Sequence, residues 1–185
     1  GTGHAVKCAM QSDWGKTAVD KKENVLVLPG DLPLLTTELV RDMTEPLKRG
    51  SALKLLTAIV TDPFGYGRII RRGKKGPVLR ITEEKDASPR EKLIQEVGLS
   101  IYTFGAQFLS VGVAALKNDN AQKEYYLTDL IGHAVAKKRA IETRTWDIPE
   151  DVRGVNNPYE LAVAAKILNS RVIKQHALAG VRFIS

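Results

Sequence analysis

A carboxylate interrupts an apolar run near the amino end of the chain. Residues 25–35 read VLVLPGDLPLL. Asp31 follows the turn residues Pro29 and Gly30, and it could simply cap the next helix. The threonines that could cap that helix come five and six positions later, so Asp31 is also free for chemistry. A carboxylate at a strand end suits a hard cation such as Mg²⁺, whose other ligands are phosphate oxygens and waters.

A second oxygen ligand could come from the string GVNNP, residues 154–158. Either asparagine could cap the helix that Pro158 begins, and capping is the simplest function of both. One cap suffices for one helix, and Asn157 is adjacent to the proline. Asn156 is therefore left with an amide oxygen that can ligate a cation.

Other polar segments admit simpler explanations. Gly67 begins one arm of a predicted hairpin, where a glycine weakens the strand unless something, such as a flat sugar ring, approaches the backbone closely. Glu83 and Glu84 lie in a charged stretch that is typical of a solvated loop. The basic string RRGKKG at 71–76 contains no aromatic residue on which a base could stack, so nucleic acid is not favoured as a partner.

Composition indicates a globular protein. The chain has 185 residues, 43% of them hydrophobic, enough for one sizeable core. No apolar stretch reaches the roughly 20 residues of a membrane span. The single cysteine, Cys8, is typical of a reducing compartment and predicts a cytoplasmic protein with no membrane partner. The net charge of +7 suits polyanionic partners, among them nucleotides and sugar phosphates.

The predicted elements alternate between strands and helices. The predicted strands cover 25–28, 53–60, 68–72, 78–82, 99–104 and 140–146, and the main predicted helices cover about 36–48, 106–117, 126–137 and 158–177. This order favours an α/β fold with a mainly parallel sheet and a small antiparallel hairpin appendage. Ligands of such sheets collect beyond the carboxyl ends of strands, where Asp31 is expected.

Six strings occur in the order and spacing of one enzyme family. They are GTGHA (1–5), LPGDLPLL (28–35), DPFGYGRI (62–69), TEEKDAS (82–88), NDNAQKEYYLTD (118–129) and GVNN (154–157). Together they resemble the N-acetylglucosamine-1-phosphate uridyltransferase domain of the bacterial bifunctional enzyme that also acetylates glucosamine 1-phosphate. The resemblance implies a Rossmann-like nucleotidyltransferase domain over 1–177 and, at 178–185, the start of a linker toward a left-handed β-helix domain outside the chain. The family's first βα unit, with its glycine-rich loop and lysine, has no counterpart, so this fragment alone is expected to turn over little.

The resemblance also implies a reaction and its residues. UMP passes from UTP to N-acetylglucosamine 1-phosphate, giving UDP-N-acetylglucosamine and pyrophosphate for peptidoglycan and lipopolysaccharide synthesis, with Mg²⁺ as cofactor and a homotrimer in the full-length family. Asp31 and Asn156 correspond to the metal ligands. The implied nucleotide contacts are Gly1, Thr2, Pro29, Gly30 and Asp31, and the implied sugar contacts are Gly67, Glu83, Gly98, Tyr126 and Thr128.

Two departures from the family bear on the sugar. Gly98, in EVGLS, stands where the family usually has an asparagine that hydrogen-bonds the sugar, and Lys123 stands where a glycine normally precedes EYY. We therefore expect a tight backbone at residue 123 and an altered sugar selectivity. Another sugar-1-phosphate nucleotidyltransferase and a catalytically silent nucleotidyltransferase-like module remain alternatives, although the presence of both Asp31 and Asn156 argues against silence.

Overall fold

A computed structural model describes residues 1–73 and 76–183. The predicted hairpin tip includes Lys74 and Lys75, which lie outside these residues. The chain forms two compact units. The larger unit consists of Gly1–Leu28 and Arg41–Asp147, and the smaller unit consists of Pro29–Val40 and the described residues from Ile148 onward.

Six strands form one sheet within the described part of the larger unit. They are β1 (Asn24–Val27), β2 (Ser51–Ile59), β3 (Gly67–Arg71), β4 (Val78–Thr82), β5 (Glu96–Gly105) and β6 (Ala140–Thr145). The order is β4-β3-β5-β2-β6, and β1 also pairs with β5. Strand β5 is antiparallel to β1, β2 and β3, whereas β2 and β6 are parallel. Four strands, β1, β2, β3 and β6, thus share one direction.

These pairings confirm the predicted α/β class, the Rossmann-like sheet and the antiparallel β3–β4 hairpin. The reversed direction of β5 is a finding that the sequence patterns did not contain. The segment from 83 to 95 holds only a short 3₁₀ turn, Glu91–Leu93, instead of the helix that a parallel crossover usually uses. The central strands β2 and β5 are mostly buried, which explains why their sequences read as continuous apolar runs.

Helices pack on the sheet of the larger unit, and one long helix makes up much of the described part of the smaller unit. In chain order they are α1 (Thr2–Gln11), α2 (Asp13–Asp20), α3 (Thr37–Thr44), α4 (Ala106–Ala114), α5 (Asp129–Ala136) and α6 (Pro158–Leu178). In the larger unit, Leu109 of α4 and Leu130 of α5 join Leu53 and Phe104 in the core, each fully buried. Helix α3 ends before the predicted 48 because Pro46 disfavours helical geometry at the residue preceding it. No helix in residues 1–73 and 76–183 is long and apolar enough to cross a membrane.

The start of α6 agrees with its sequence signals. The side chain of Asn157 accepts a hydrogen bond from the backbone N–H of Glu160 at 2.9 Å, and Pro158 occupies the first helical turn. These are the cap and the proline that the string NNP predicted. This cap fixes the position of Asn156, one residue outside the helix.

Candidate functional site

The two predicted metal ligands converge in the smaller unit. The backbone N–H of Val155 donates to the carbonyl oxygen of Asp31 at 3.0 Å, which ties the PGD turn to the GVNN string. A Cβ placed on Gly154 would lie 3.3 Å from Asp31 Oδ2 and 3.8 Å from Asn156 Nδ2. Both side chains therefore border the same small space, which stays open because residue 154 is a glycine.

Hydrogen bonds to Glu160 orient Asn156. The Glu160 carboxylate accepts from the backbone N–H of Asn156 at 2.6 Å and from its Nδ2 at 3.3 Å. These bonds, the backbone one first, lower the pKa of Glu160 below its usual range. Within the described residues, Oδ1 of Asn156 is then left without a hydrogen-bond donor from the protein.

The chemistry of this pair fits a magnesium ion. No group of three or more His, Cys, Asp or Glu side chains in the described ranges could form an all-protein cage for a metal. Mg²⁺ does not need such a cage, because it usually takes one or two protein oxygens and completes its shell with phosphates and waters. The Asp31 carboxylate borders the space beside Gly154, and the neighbouring Asn156 carries an amide oxygen with no protein donor among the described residues, so the pair can supply the one or two oxygens that Mg²⁺ needs.

Four of the predicted sugar-binding residues meet in the larger unit. Gly67 of β3 lies directly opposite Gly98 of β5. The hydroxyl of Thr128 donates to Glu83 Oε1 at 2.8 Å. A Cβ on Gly67 would lie 2.7 Å from Cγ2 of Ile81 and 3.3 Å from Glu83 Oε2, so a side chain at position 67 would clash with Ile81 and crowd the carboxylate. Contacts between distant segments thus bring Gly67, Gly98, Glu83 and Thr128 together.

The fifth predicted sugar residue, Tyr126, lies in the same electronegative surroundings. Its hydroxyl donates to Gln122 Oε1 at 2.8 Å. Burial, followed by the charges of Asp86 and Glu83, raises its pKa to about 12. Burial also raises the pKa of Glu83, although the hydrogen bond from Thr128 opposes that shift. A partly desolvated carboxylate of this kind suits a ligand that donates hydrogen bonds, such as a sugar hydroxyl.

The predicted nucleotide residues fall into two sets. Gly1 and Thr2 lie at the start of α1 in the larger unit, where a Cβ on Gly1 would lie 3.2 Å from the carbonyl oxygen of Tyr125. The N–H of Gly3 donates to that same oxygen at 2.9 Å, so the start of α1 lies against the segment leading to Tyr126. Pro29, Gly30 and Asp31 belong to the smaller unit.

Lys123 has the backbone geometry that a glycine favours. Its φ is +52°, in the left-handed region, which costs a lysine roughly 1–2 kcal/mol relative to glycine. The side-chain oxygen of Asn120 accepts from the N–H groups of Gln122 and Glu124 at 3.2 and 3.1 Å, which closes this tight loop. The geometry agrees with the tight backbone expected at this departure from the family.

Sequence reasoning missed the pairing of Arg68 with Glu84. Arg68 is 2% exposed, and its Nη2 lies 2.6 Å from Glu84 Oε2. The same carboxylate oxygen accepts from the N–H of Gly65 at 3.3 Å. The expectation of a solvated loop at Glu83 and Glu84 is therefore wrong for both, because each carboxylate is partly buried and hydrogen-bonded. The one signal in the sequence for a buried arginine was the position of Arg68 in a predicted strand, directly before two isoleucines.

Mixed strand directions, the β3–β4 hairpin and the flanking helices define a Rossmann-like α/β fold of the nucleotidyltransferase type.

Over all of its 185 residues the chain is 45% identical to the bifunctional protein GlmU of Trichlorobacter lovleyi and 43% identical to that of Geotalea daltonii. Identity to the bifunctional protein GlmU of Geobacter sulfurreducens is 43% over 187 aligned residues. The chain spans 39%, 39% and 38% of the length of these proteins and matches their amino-terminal part. No protein-family model matches the chain.

These similarities confirm the resemblance that the six strings indicated. The chain is similar along its whole length to the amino-terminal part of the bifunctional GlmU proteins, which supports the expected nucleotidyltransferase class.

Proposed function

We propose that this chain is the nucleotidyltransferase part of an enzyme that acts on sugar 1-phosphates. Its reaction is the transfer of UMP from UTP to N-acetylglucosamine 1-phosphate with release of pyrophosphate. The observation that supports this most is the convergence of Asp31 and Asn156 beside Gly154, in a chain 45% identical to a GlmU protein. The product UDP-N-acetylglucosamine would enter peptidoglycan and lipopolysaccharide synthesis.

In this proposal Asp31 and Asn156 hold Mg²⁺, which when bound neutralises phosphate charge during transfer. The contribution of the protein is to position these two side chains. The Val155 N–H fixes the Asp31 backbone, and Glu160 holds the amide of Asn156. Phosphoryl transfer requires little covalent chemistry from a protein, so correct placement of charges supplies most of the acceleration.

The sugar is proposed to bind at Glu83. Its carboxylate would accept a hydrogen bond from a sugar hydroxyl while Thr128 holds it in place. Gly67 and Gly98 leave the neighbouring backbone accessible, and Tyr126 would line the pocket of the acetamido group. Backbone groups of Gly1, Thr2, Pro29 and Gly30 would contact the nucleotide.

The remaining assignments are proposals on the same basis. Residues 1–177 would form the catalytic domain and 178–185 the start of a linker toward a β-helix domain that makes the full-length protein a homotrimer. A cytoplasmic location is proposed, consistent with the single free cysteine, Cys8. Neither nucleic acid nor a membrane is proposed as a partner.

Gly98 and Lys123 favour a second candidate function, a nucleotidyltransferase whose substrate is another sugar 1-phosphate. The test measures pyrophosphate release by the complete gene product with UTP, dTTP or CTP and a panel of sugar 1-phosphates. We expect UTP with N-acetylglucosamine 1-phosphate to give the highest kcat/KM. A higher value for any other pair would assign the second candidate, and no release with any pair would support a silent module.

Substitution of Glu83 distinguishes the effect of this carboxylate on the stability of the fold from its proposed role in sugar binding. Since burial raises the pKa of this carboxyl, the folded state favours its protonated form, and the associated stability is lost as pH rises through the folded pKa. We expect Glu83→Gln to raise the thermal midpoint at pH 7, with a gain that shrinks toward pH 4, and to raise the KM for the sugar phosphate.

The matched control is Glu45→Gln, because Glu45 is exposed and lies outside both candidate sites. It should change neither quantity. An unchanged KM in Glu83→Gln would remove Glu83 from the sugar site, whereas a lower thermal midpoint would show that its charge stabilises the fold.

A further inference from the structure

A cavity of about 420 Å³ lies in the larger unit, and none of the described residues that line it is predicted to bind substrate. It lies where β5 ends at Gly105 and where β2 begins at Ser51. Its volume is within the range of roughly 300–1,000 Å³ that small-molecule sites occupy. Gly98 of the sugar-binding set and Gly105 lie seven residues apart on β5, which corresponds to about 20 Å.

Three cationic residues, Lys22, Lys137 and Arg139, line this cavity, with Glu23 as its one acidic member among the described residues. The guanidinium of Arg139 is fixed in place: its Nε donates to the carbonyl oxygen of Gly50 at 3.1 Å, and its Nη2 donates to that of Ser51 at 3.2 Å. An arginine has five N–H donors, so others remain for a ligand.

The position of Lys22 comes from the way α2 ends. Its N–H donates to the carbonyl oxygen of Val19 at 3.1 Å, and its φ is +55°, a conformation in which glycine is the usual residue. Helix α5 ends in the same way at Lys138, with φ +53° and a bond of 2.9 Å to the carbonyl oxygen of Val135. Lys22 lines the cavity and Lys138 does not, so the chain contains its own matched control.

The amino terminus of α4 adds hydrogen-bond donors to the cavity wall. Its N-cap is Gly105, which has no side chain to cap the helix, and the N–H of Ala106 donates to the carbonyl oxygen of Glu23 at 2.9 Å. The N–H groups of Gln107 and Phe108 have no protein acceptor in the described part of the chain. An uncapped helix terminus of this kind favours an anion.

The wall also has an apolar part. Phe108 is half-buried, and Val111 is 58% exposed although it is a large hydrophobic residue. Both residues line the same cavity as the three cationic residues. A ligand that fills the cavity would therefore carry an anionic group at one end and an apolar surface at the other.

We propose that this cavity is a second binding site, for a small organic phosphate. Its phosphate lies among Lys22, Lys137 and Arg139, and its apolar part lies on Phe108 and Val111. The proposal does not depend on the reaction assigned to the other residues, since none of the proposed substrate-binding residues lines the cavity.

Titration with phenyl phosphate, followed by two-dimensional amide NMR of this chain, tests the proposal. We expect saturable shifts at the amides of Gln107 and Phe108, and weaker binding of inorganic phosphate because it lacks the apolar part. Benzyl alcohol, which lacks the phosphate, is expected not to bind. Equal binding of benzyl alcohol, shifts at Thr128 instead of Gln107, or no saturation would each overturn the proposal.

Three variants test which lysines contribute their charge to the binding of phenyl phosphate. Lys22→Asn and Lys137→Gln should each raise the Kd for phenyl phosphate up to about fivefold, as expected for the loss of one exposed ion pair. Asparagine tolerates the left-handed backbone at residue 22, so folding should be retained. Lys138→Asn makes the same change of charge outside the cavity and should leave the Kd unchanged. If Lys138→Asn weakens binding as much as Lys22→Asn, or if Lys22→Asn and Lys137→Gln both bind as well as the unaltered chain, the site is refuted.

Discussion

The variant Asp31→Asn is expected to reduce uridyl transfer by the complete gene product about 10²–10³-fold, comparable to the loss of one electrostatic contact to the transition state. The substitution keeps the shape of the side chain and the backbone bond between Asp31 and Val155, so folding should be unaffected. It removes the negative charge from the space beside Gly154. Half-saturation by Mg²⁺ should therefore require a higher concentration.

Two further variants make this prediction specific. Gly154→Ala changes no ligand but places a methyl group 3.3 Å from Asp31 Oδ2, so it should also weaken the response to Mg²⁺. Asp20→Asn makes the same chemical change at an exposed position on α2 and should have no effect. Full activity of Asp31→Asn with an unchanged Mg²⁺ dependence would eliminate the metal role proposed for this carboxylate.

Arg68→Met should cause the largest loss of stability. Arg68 is 2% exposed and pairs with Glu84 at 2.6 Å, and its removal leaves the partly buried carboxylate with only the longer contact to Lys92 Nζ, at 3.4 Å, as an ion pair among the described residues. We expect the thermal midpoint of this chain to fall by about 10 °C. The pKa of Glu84, which is lowered chiefly by the hydrogen bond from Arg68, should rise at the same time.

The same variant should impair sugar binding, since Glu84 also holds the N–H of Gly65 and is adjacent to Glu83. The control is Arg80→Met. Arg80 also pairs with a glutamate, Glu91, at 2.7 Å, but its side chain is 56% exposed, so a shift below about 3 °C is expected.

The double variant Arg68→Met with Glu84→Gln removes both charges and should recover part of the loss in the thermal midpoint. Equal shifts in Arg68→Met and Arg80→Met would mean that burial of the arginine is not what stabilises this region. A normal KM for the sugar phosphate in Arg68→Met would mean that the pair does not position Glu83.

Local signals in the sequence determined several features on their own. The string NNP followed by Glu160 defined the start of α6, because a cap, a proline and the first turn interact within four residues. The break in the apolar run at Pro29 to Asp31 indicated the end of β1 for a similar reason. The pairing of Asp31 with Asn156, proposed from residue type and family resemblance, agrees with their convergence beside Gly154.

Only the tertiary structure determined which residues contact the predicted sugar-binding residues. Thr128 holds Glu83 from 45 positions along the chain, and no periodicity in the sequence encodes that contact. The direction of β5 and the pairing of Arg68 with Glu84 depend in the same way on how segments pack. The basic cavity was also invisible in the sequence, because Lys22, Arg139 and the start of α4 meet only after β1 has paired with β5, β5 with β2, and β2 with β6. Caps and turns act between near neighbours and are readable from sequence, whereas these contacts arise between residues that only folding brings together.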